Sequence, residues 1–470
     1  MDAPIYRGIK QYLSKNRISF HMPGHKGNGD WKPADLYALD VTELPDTDDL
    51  YAPTSYIKDS EEQLKRIYNT RHSFYLLGGA TCGIFAMLAA TVQEGETVMI
   101  DRNCHKSVIH ALMMIGARPA YVYPKYNHQF GFPGGIDPDE LETSLQMHGD
   151  AKAVLVTSPN YYGGLSNIAA LAAVSHRHGI PLLVDEAHGA HLPFSPLLPE
   201  SALSCGADMV VQSVHKTLGA LSGGALLHIC SDTILPENVR KLLAMFQTSS
   251  PSYAILASLE FAVFTAAGLE KRYKPLLAQI QEGRALVNHT AKAYWVGPEL
   301  QNTCQIHALD PTRIVINVAK SGLSGYEMAA LLRSKYKIDP EMADEHNIVC
   351  IATPYNDPSD VKKLTKAMLT IIKKIQPATL QHEPILQLPA AVIRMTPREA
   401  FYQAGEYIHL EQAPGRIAKN LICKYPPGTP ILVPGEEIRL EHIREIAALL
   451  ENGTAIYGID REYQIEVVVD

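Results

Sequence analysis

The sequence predicts an α/β fold built on a mainly parallel central sheet with helices on both faces. Two observations carry this. Between residues 74 and 212 short apolar runs alternate with segments of helical period, and several runs are continuously apolar rather than alternating. Continuous runs suit strands covered on both faces, and strands that alternate with helices form parallel sheets. An apolar share of 46% against 20% charged residues adds that the chain folds around a substantial core.

The elements follow in order. The first sixty residues read as an arm with little regular structure, because Pro, Gly and Asp punctuate them, as in Pro23-Gly24-His25-Lys26-Gly27 and Pro45-Asp46-Thr47-Asp48-Asp49. A large domain is expected over 61–255, with strands at 74–77, 97–100, 119–122, 153–157, 181–184 and 208–212. Helices are expected at 83–92, 106–115 and 167–178. A smaller α/β domain follows over 256–376, with strands at 313–318 and 347–353 and helices at 326–336 and 360–375. Proline spacing from Pro377 to Pro389 marks a linker into a C-terminal α+β domain over 377–470.

Composition narrows the function. Lys and Arg number 42 against 50 Asp and Glu, a net charge of −8, and no basic run occurs, so nucleic acid is not an expected partner. No apolar run reaches the ~18 residues of a membrane span. The opening Met1-Asp2-Ala3-Pro4 lacks a signal-peptide pattern. Seven scattered cysteines without a C-x-x-C pair suit reduced thiols and a cytoplasmic setting.

Ligands of open α/β sheets sit at the carboxyl ends of strands, and two such ends carry a suggestive pair. Asp185-Glu186-Ala187-His188 follows one expected strand, and Ser213-Val214-His215-Lys216 follows the next, with Lys216 thirty-one residues after Asp185. Pyridoxal 5′-phosphate (PLP) needs such a pair: a lysine to condense with its aldehyde and a carboxylate to keep its ring nitrogen protonated. A structural ion pair is the plainer alternative for each residue alone. Gly78-Gly79-Ala80-Thr81-Cys82-Gly83 lies between a strand and a helix, where glycines and free N–H groups can hold a phosphate. Asp101-Arg102-Asn103-Cys104-His105 follows another strand, and the flat ring of His105 could stack on a cofactor. His188 and His215 are further candidates beside it. The letters D-E-A-H also mark helicases, but no G-x-x-x-x-G-K-[ST] loop accompanies them. His188 and His191 lack the further ligands of a metal site.

Together with Tyr425-Pro426-Pro427-Gly428 and Pro434-Gly435-Glu436, these motifs resemble the Orn/Lys/Arg decarboxylase family. The likeness is to its short bacterial form without a large N-terminal wing domain, close to the Bacillus-type biosynthetic arginine decarboxylases. The resemblance runs from the arm to near the C-terminus. It implies PLP-dependent transferase fold type I and an active site at a homodimer interface. It also implies decarboxylation of a basic amino acid, arginine to agmatine for polyamine synthesis being favoured over lysine or ornithine. By the same likeness Lys216 carries the cofactor, Asp185 faces the pyridine nitrogen, and His105 stacks on the ring. Ala80, Thr81, Cys82, Ser213, His215 and His188 surround the cofactor. Ser249 reaches the phosphate from the neighbouring subunit. Apart from the likeness, the expected reaction has a proton returned to the substrate by Lys216 or His215. Ala80 departs from the family, which has a hydroxyl residue there. Glu436 is expected to meet the substrate's distal cation; a helix-capping role is the alternative. Another PLP lyase or aminotransferase, and a non-catalytic regulatory relative, are the rival readings.

Overall fold

Seven strands form the central sheet of the computed structural model, which describes residues 4–44, 46–375, 389–425, 428–451 and 453–469. They are β1 (His72–Leu76), β2 (Thr97–Asp101), β3 (Arg118–Val122), β4 (Ala151–Thr157), β5 (Leu182–Asp185), β6 (Met209–Gln212) and β7 (Ala225–Ile229). Their spatial order is β1-β7-β6-β5-β4-β2-β3. The pairs from β6 through β5, β4 and β2 to β3 are parallel, and β7 alone runs against its neighbours. Six strands stand where the apolar runs place them. The run in β7, Ala225-Leu226-Leu227-His228-Ile229, is the strand the sequence reading omits. It carries a fully buried histidine, held by Ser73 Oγ at 2.8 Å.

Burial explains the continuous apolar character. β2, β5, β6 and β7 are buried at every position. Each Leu, Ile or Val so enclosed contributes roughly 1.5–3 kcal/mol. Helices Gly79–Thr91 and Lys106–Ile115 cover one face in one apolar cluster, and Ile168–Arg177 covers the other with Ala151, Val154 and Leu182. Helix Lys106–Ile115 has local reasons for its ends. His105 caps it by accepting from Ser107 N–H, and Gly116 ends it in the left-handed region at φ 74°.

A four-stranded antiparallel sheet follows: β8 (Tyr294–Trp295), β9 (Arg313–Asn317), β10 (Met342–Ala343) and β11 (Asn347–Ile351), in the order β8-β9-β11-β10. Helices Glu270–Asn288 and Pro358–Lys374 pack on it around Trp295. The C-terminal section pairs strand Gly405–His409 with Gln464–Val468 and holds its own apolar cluster. The expected proline-spaced linker falls largely on 376–388, outside the described residues.

The arm departs from the expectation of irregular chain. Pro4–Leu13 is a helix with no buried residue, and Tyr56–Tyr68 is a second helix. Between them Ile18–Phe20 pairs in parallel with Ile338–Pro340. Glu341 is the residue that follows this partner strand, and its own N–H bonds the Val349 carbonyl at 2.9 Å.

Candidate active site

Sheet register brings Asp185 and Lys216 together. β5 and β6 are parallel neighbours with Asp185 opposite Val211, so both strands end on the same edge. β6 stops at Gln212, and the single helical turn Val214–Thr217 then lifts Lys216 over that edge. A cavity of about 410 Å³ opens there, and its lining includes Asp185, Lys216, His105, His188, Ser213 and His215. Lys216 Nζ lies 3.2 Å from His188 Nε2.

The groups around the cavity keep unusual charge states. Burial raises the Asp185 pKa, while Lys216 and the Ala187 N–H pull it down. Burial lowers the Lys216 pKa against the attraction of Asp185 and Glu341, and Arg313 pushes it further the same way. His105 is driven to about 3, by burial first and then by Lys216. His215 is driven to about 4 by burial, although its Nδ1 bonds the Gly224 carbonyl at 2.8 Å. These rings are neutral near pH 7.

A backbone cradle closes one end. Gly78, Gly79, Ala80 and Thr81 line the cavity at the start of helix Gly79–Thr91. Gly79 has φ 72°, which suits glycine, and its N–H reaches the Gly223 carbonyl at 2.8 Å. The free N–H groups of the first helical turn point toward this end. On the cavity wall His105 is held by Ser107 Oγ at 2.8 Å. Gly428 approaches it so closely that a methyl there would sit 3.2 Å from Nε2.

Loop 21–26 clamps the lysine segment from outside. Gly24 N–H donates to the His215 carbonyl at 2.7 Å, and Thr353 Oγ1 donates to the Gly24 carbonyl at 2.6 Å. Lys26 is partly buried near Glu341 and Arg313, and desolvation lowers its pKa to about 7.

Three expected site residues lie elsewhere. Cys82 turns into the core, and its thiol bonds the Gly79 carbonyl at 3.0 Å, because neighbouring helical residues point about 100° apart and Thr81 takes the cavity side. Ser249, expected to serve the neighbouring subunit, is exposed in the loop before helix Tyr253–Phe264 and is not among the described residues that line this cavity. Glu436 lies outside the lining. It is 1% exposed and is engaged by Arg102 Nη2 at 3.1 Å and Val433 N–H at 2.9 Å. His191 is buried instead, with its Nε2 3.2 Å from the Asp310 carboxylate.

The structure adds residues that sequence reasoning passed over. Tyr161, just beyond the end of β4, lines the cavity and donates its hydroxyl to Glu341. Met22 N–H gives Glu341 a second bond at 2.9 Å. Arg313 Nη2 donates to His188 Nδ1 at 3.0 Å. Tyr161 obeys the strand-end rule and is findable; Arg313 comes from β9 and Glu341 from the residue just before β10, and neither carries a local motif.

Comparison with known proteins agrees with this geometry. A family model described as Orn/Lys/Arg decarboxylase, major domain, matches residues 3–360, and the C-terminal domain of the same family matches 378–463. The chain belongs to the Orn/Lys/Arg decarboxylase family. It is 33% identical to an arginine decarboxylase of Bacillus subtilis over 97% of this chain and 95% of that one. It is 24% identical to the inducible lysine decarboxylase of Escherichia coli, over 93% of this chain and 75% of that one. The constitutive lysine decarboxylase of E. coli superposes with a TM-score of 0.77 at 21% identity, covering 93% and 76%. A Sphingomonas wittichii serine palmitoyltransferase superposes at 0.57 and 16% identity, covering 77% and 88%. The fold is that of the PLP-dependent transferases of type I, and Orn/Lys/Arg decarboxylases depend on PLP. The residues present fit that cofactor. The Asp185 carboxylate takes only the Ala187 N–H at 3.1 Å among the described residues, leaving acceptor capacity for a ring N–H. The glycine cradle suits a phosphate.

Proposed function

We propose that this decarboxylase acts on arginine, as a cytoplasmic homodimer, with Lys216 as the residue that attaches PLP. The observation that supports the chemistry is the convergence of Lys216 and Asp185 on one cavity edge. The observation that supports arginine is likeness to the B. subtilis enzyme over nearly the full length of both chains.

PLP, when bound, supplies the electron sink that lets a carboxylate leave as carbon dioxide. The chain's own residues do the rest. Asp185, buried at the end of β5, would keep a proton on the cofactor's ring nitrogen. His105 gives a neutral flat face, and a neutral ring does not compete with Asp185 for charge. The Gly78–Thr81 cradle, Ser213 and His215 hold the phosphate end. Lys216 would attach the cofactor at rest and would return a proton to the substrate's α-carbon; His215 is the second candidate for that proton.

A basic amino acid also brings cationic groups, which need an acid. Asp185 and Glu341 are the two carboxylates among the described lining residues. With Asp185 assigned to the ring, Glu341 takes the place first given to Glu436. Tyr161 and the Met22 N–H hold its carboxylate in position for charge-assisted bonding. Ser249 serves the partner subunit's phosphate site. The arm, the sheet domain over 61–255, the domain over 256–376 and the C-terminal domain together form the working unit. A panel of arginine, lysine and ornithine, with carbon dioxide counted and amines identified by mass, tests the reading. Arginine should give agmatine fastest; preference for another substrate, or keto-acid formation, contradicts it.

A further inference from the structure

His188 stands between Lys216 and the Arg313 guanidinium. Its Nε2 lies 3.2 Å from Lys216 Nζ and its Nδ1 lies 3.0 Å from Arg313 Nη2. His188 is 6% exposed and Arg313 3%. A guanidinium has donors only and keeps its charge, so the ring nitrogen that faces it must accept. Arg313 Nε and Nη1 hold no hydrogen bond, which leaves His188 as the hydrogen-bond partner of this guanidinium among the described residues. The ring itself is neutral. Burial, with Lys216 and Arg313 adding to it, takes its pKa well below the usual value. A neutral imidazole with a bare Nδ1 carries its proton on Nε2. That N–H points at Lys216, and a free amine can accept it where an ammonium cannot. Tyr161 fixes the ring from the side, edge-on at 4.9 Å, and lies under the Arg313 guanidinium at 5.9 Å.

Resting on the reading of Lys216 as the attachment lysine, we propose that Arg313 is a positioning residue. It sets the tautomer of His188 so that Nε2–H supports Lys216 as a free amine. The free amine is the reactive form. Its lone pair makes the carbon–nitrogen bond to an aldehyde, whose oxygen leaves as water. The groups facing Lys216 otherwise divide. Asp185 and Glu341 favour the ammonium, Arg313 opposes it, and His105 and His215 are neutral. The donor from His188 tips this balance toward the amine.

The test begins on the cofactor-free protein labelled with ¹⁵N-histidine. Long-range proton–nitrogen correlation near neutral pH reads the tautomer, with His188→Gln identifying the signal. A bare Nδ1 and a protonated Nε2 are expected; a protonated Nδ1 overturns the proposal. The second measurement is the rate at which full-length protein captures added PLP, across pH, in wild type, Arg313→Lys and Arg313→Met. Lys keeps a charged donor and should stay within about threefold of wild type, whereas Met should slow capture about tenfold near pH 7 and recover as pH rises, a one-unit upward shift in the Lys216 midpoint. Unchanged capture and pH profile in Arg313→Met overturns the proposal even if the fold is intact. Should borohydride-fixed PLP in wild type map away from Lys216, the functional reading fails, while the tautomer measurement still stands by itself.

Discussion

At the scale of single residues, two acids divide two tasks, Asp185 facing the cofactor ring and Glu341 the substrate's cation. Asp185→Asn should leave the fold intact, since the carboxylate's only bond among the described residues is to Ala187 N–H. It should lower kcat by about 10²–10³, the usual cost of one charge-stabilising group in a dry site. Steady-state kinetics beside a circular dichroism spectrum check this, and a variant with normal kcat sinks the assignment. Glu341→Gln should instead raise KM for the basic amino acid by about ten- to a hundredfold, the loss of one bond to a charged group at ~1.5–3 kcal/mol. Equal loss for an uncharged analogue such as citrulline would show that Glu341 does not read charge. The sequence made the first acid legible and not the second. Asp185, Lys216 and His105 each follow a strand, and strand ends of parallel sheets share one edge. Glu341 reaches the cavity through distant pairings: its N–H bonds the Val349 carbonyl, and the preceding Ile338–Pro340 pairs with the arm strand Ile18–Phe20 across more than three hundred residues. Glu436 and Cys82 were misplaced for a related reason. A motif names residues but not which way they face, and Arg102 and the core respectively claim these two.

Among elements, the loop at Gly24 and strand β7 carry the most specific consequences. A methyl on Gly24 would overlap the Leu218 carbonyl and come within 2.9 Å of Leu218 N, in the segment just after Lys216. Gly24→Ala should therefore displace the Val214–Thr217 turn, lower stability by about 1–3 kcal/mol and weaken PLP retention, read by thermal melting and by cofactor loss on dialysis. An unaffected melt would remove the clamp from the account. β7 escaped the sequence reading because a histidine interrupts its apolar run, yet that histidine is enclosed between Ser73 and the Tyr68 ring. Burial lowers the His228 pKa to about 3, against ~6.5 in the unfolded chain. As pH falls below the unfolded value, the unfolded chain binds a proton that the folded chain refuses. Stability present above that value is lost progressively down to the folded pKa. Near the middle of that window the loss approaches about 1.4 kcal/mol per pH unit from this residue. His228→Gln should flatten the acid limb of stability against pH, and an unchanged slope would show that His228 is not its source.

Over the whole molecule, one cavity draws on every section of the chain. Met22 comes from the arm, Asp185 and Lys216 from the seven-stranded sheet, Glu341 from the edge of the four-stranded sheet, and Tyr425 and Thr429 from the C-terminal section. The sequence disclosed the seven-stranded sheet well because strand burial writes itself into local composition. It disclosed the assembly of sections poorly, because contacts between distant segments leave no period to read. Every proposed role in that cavity depends on Lys216 being the point of attachment. The direct measurement is borohydride reduction of the PLP-loaded enzyme, followed by peptide mapping by mass spectrometry. The account predicts a single pyridoxyl-modified residue, Lys216, and no fixed cofactor in Lys216→Ala. Modification of another lysine in the wild type, or cofactor fixed in the variant, would contradict it.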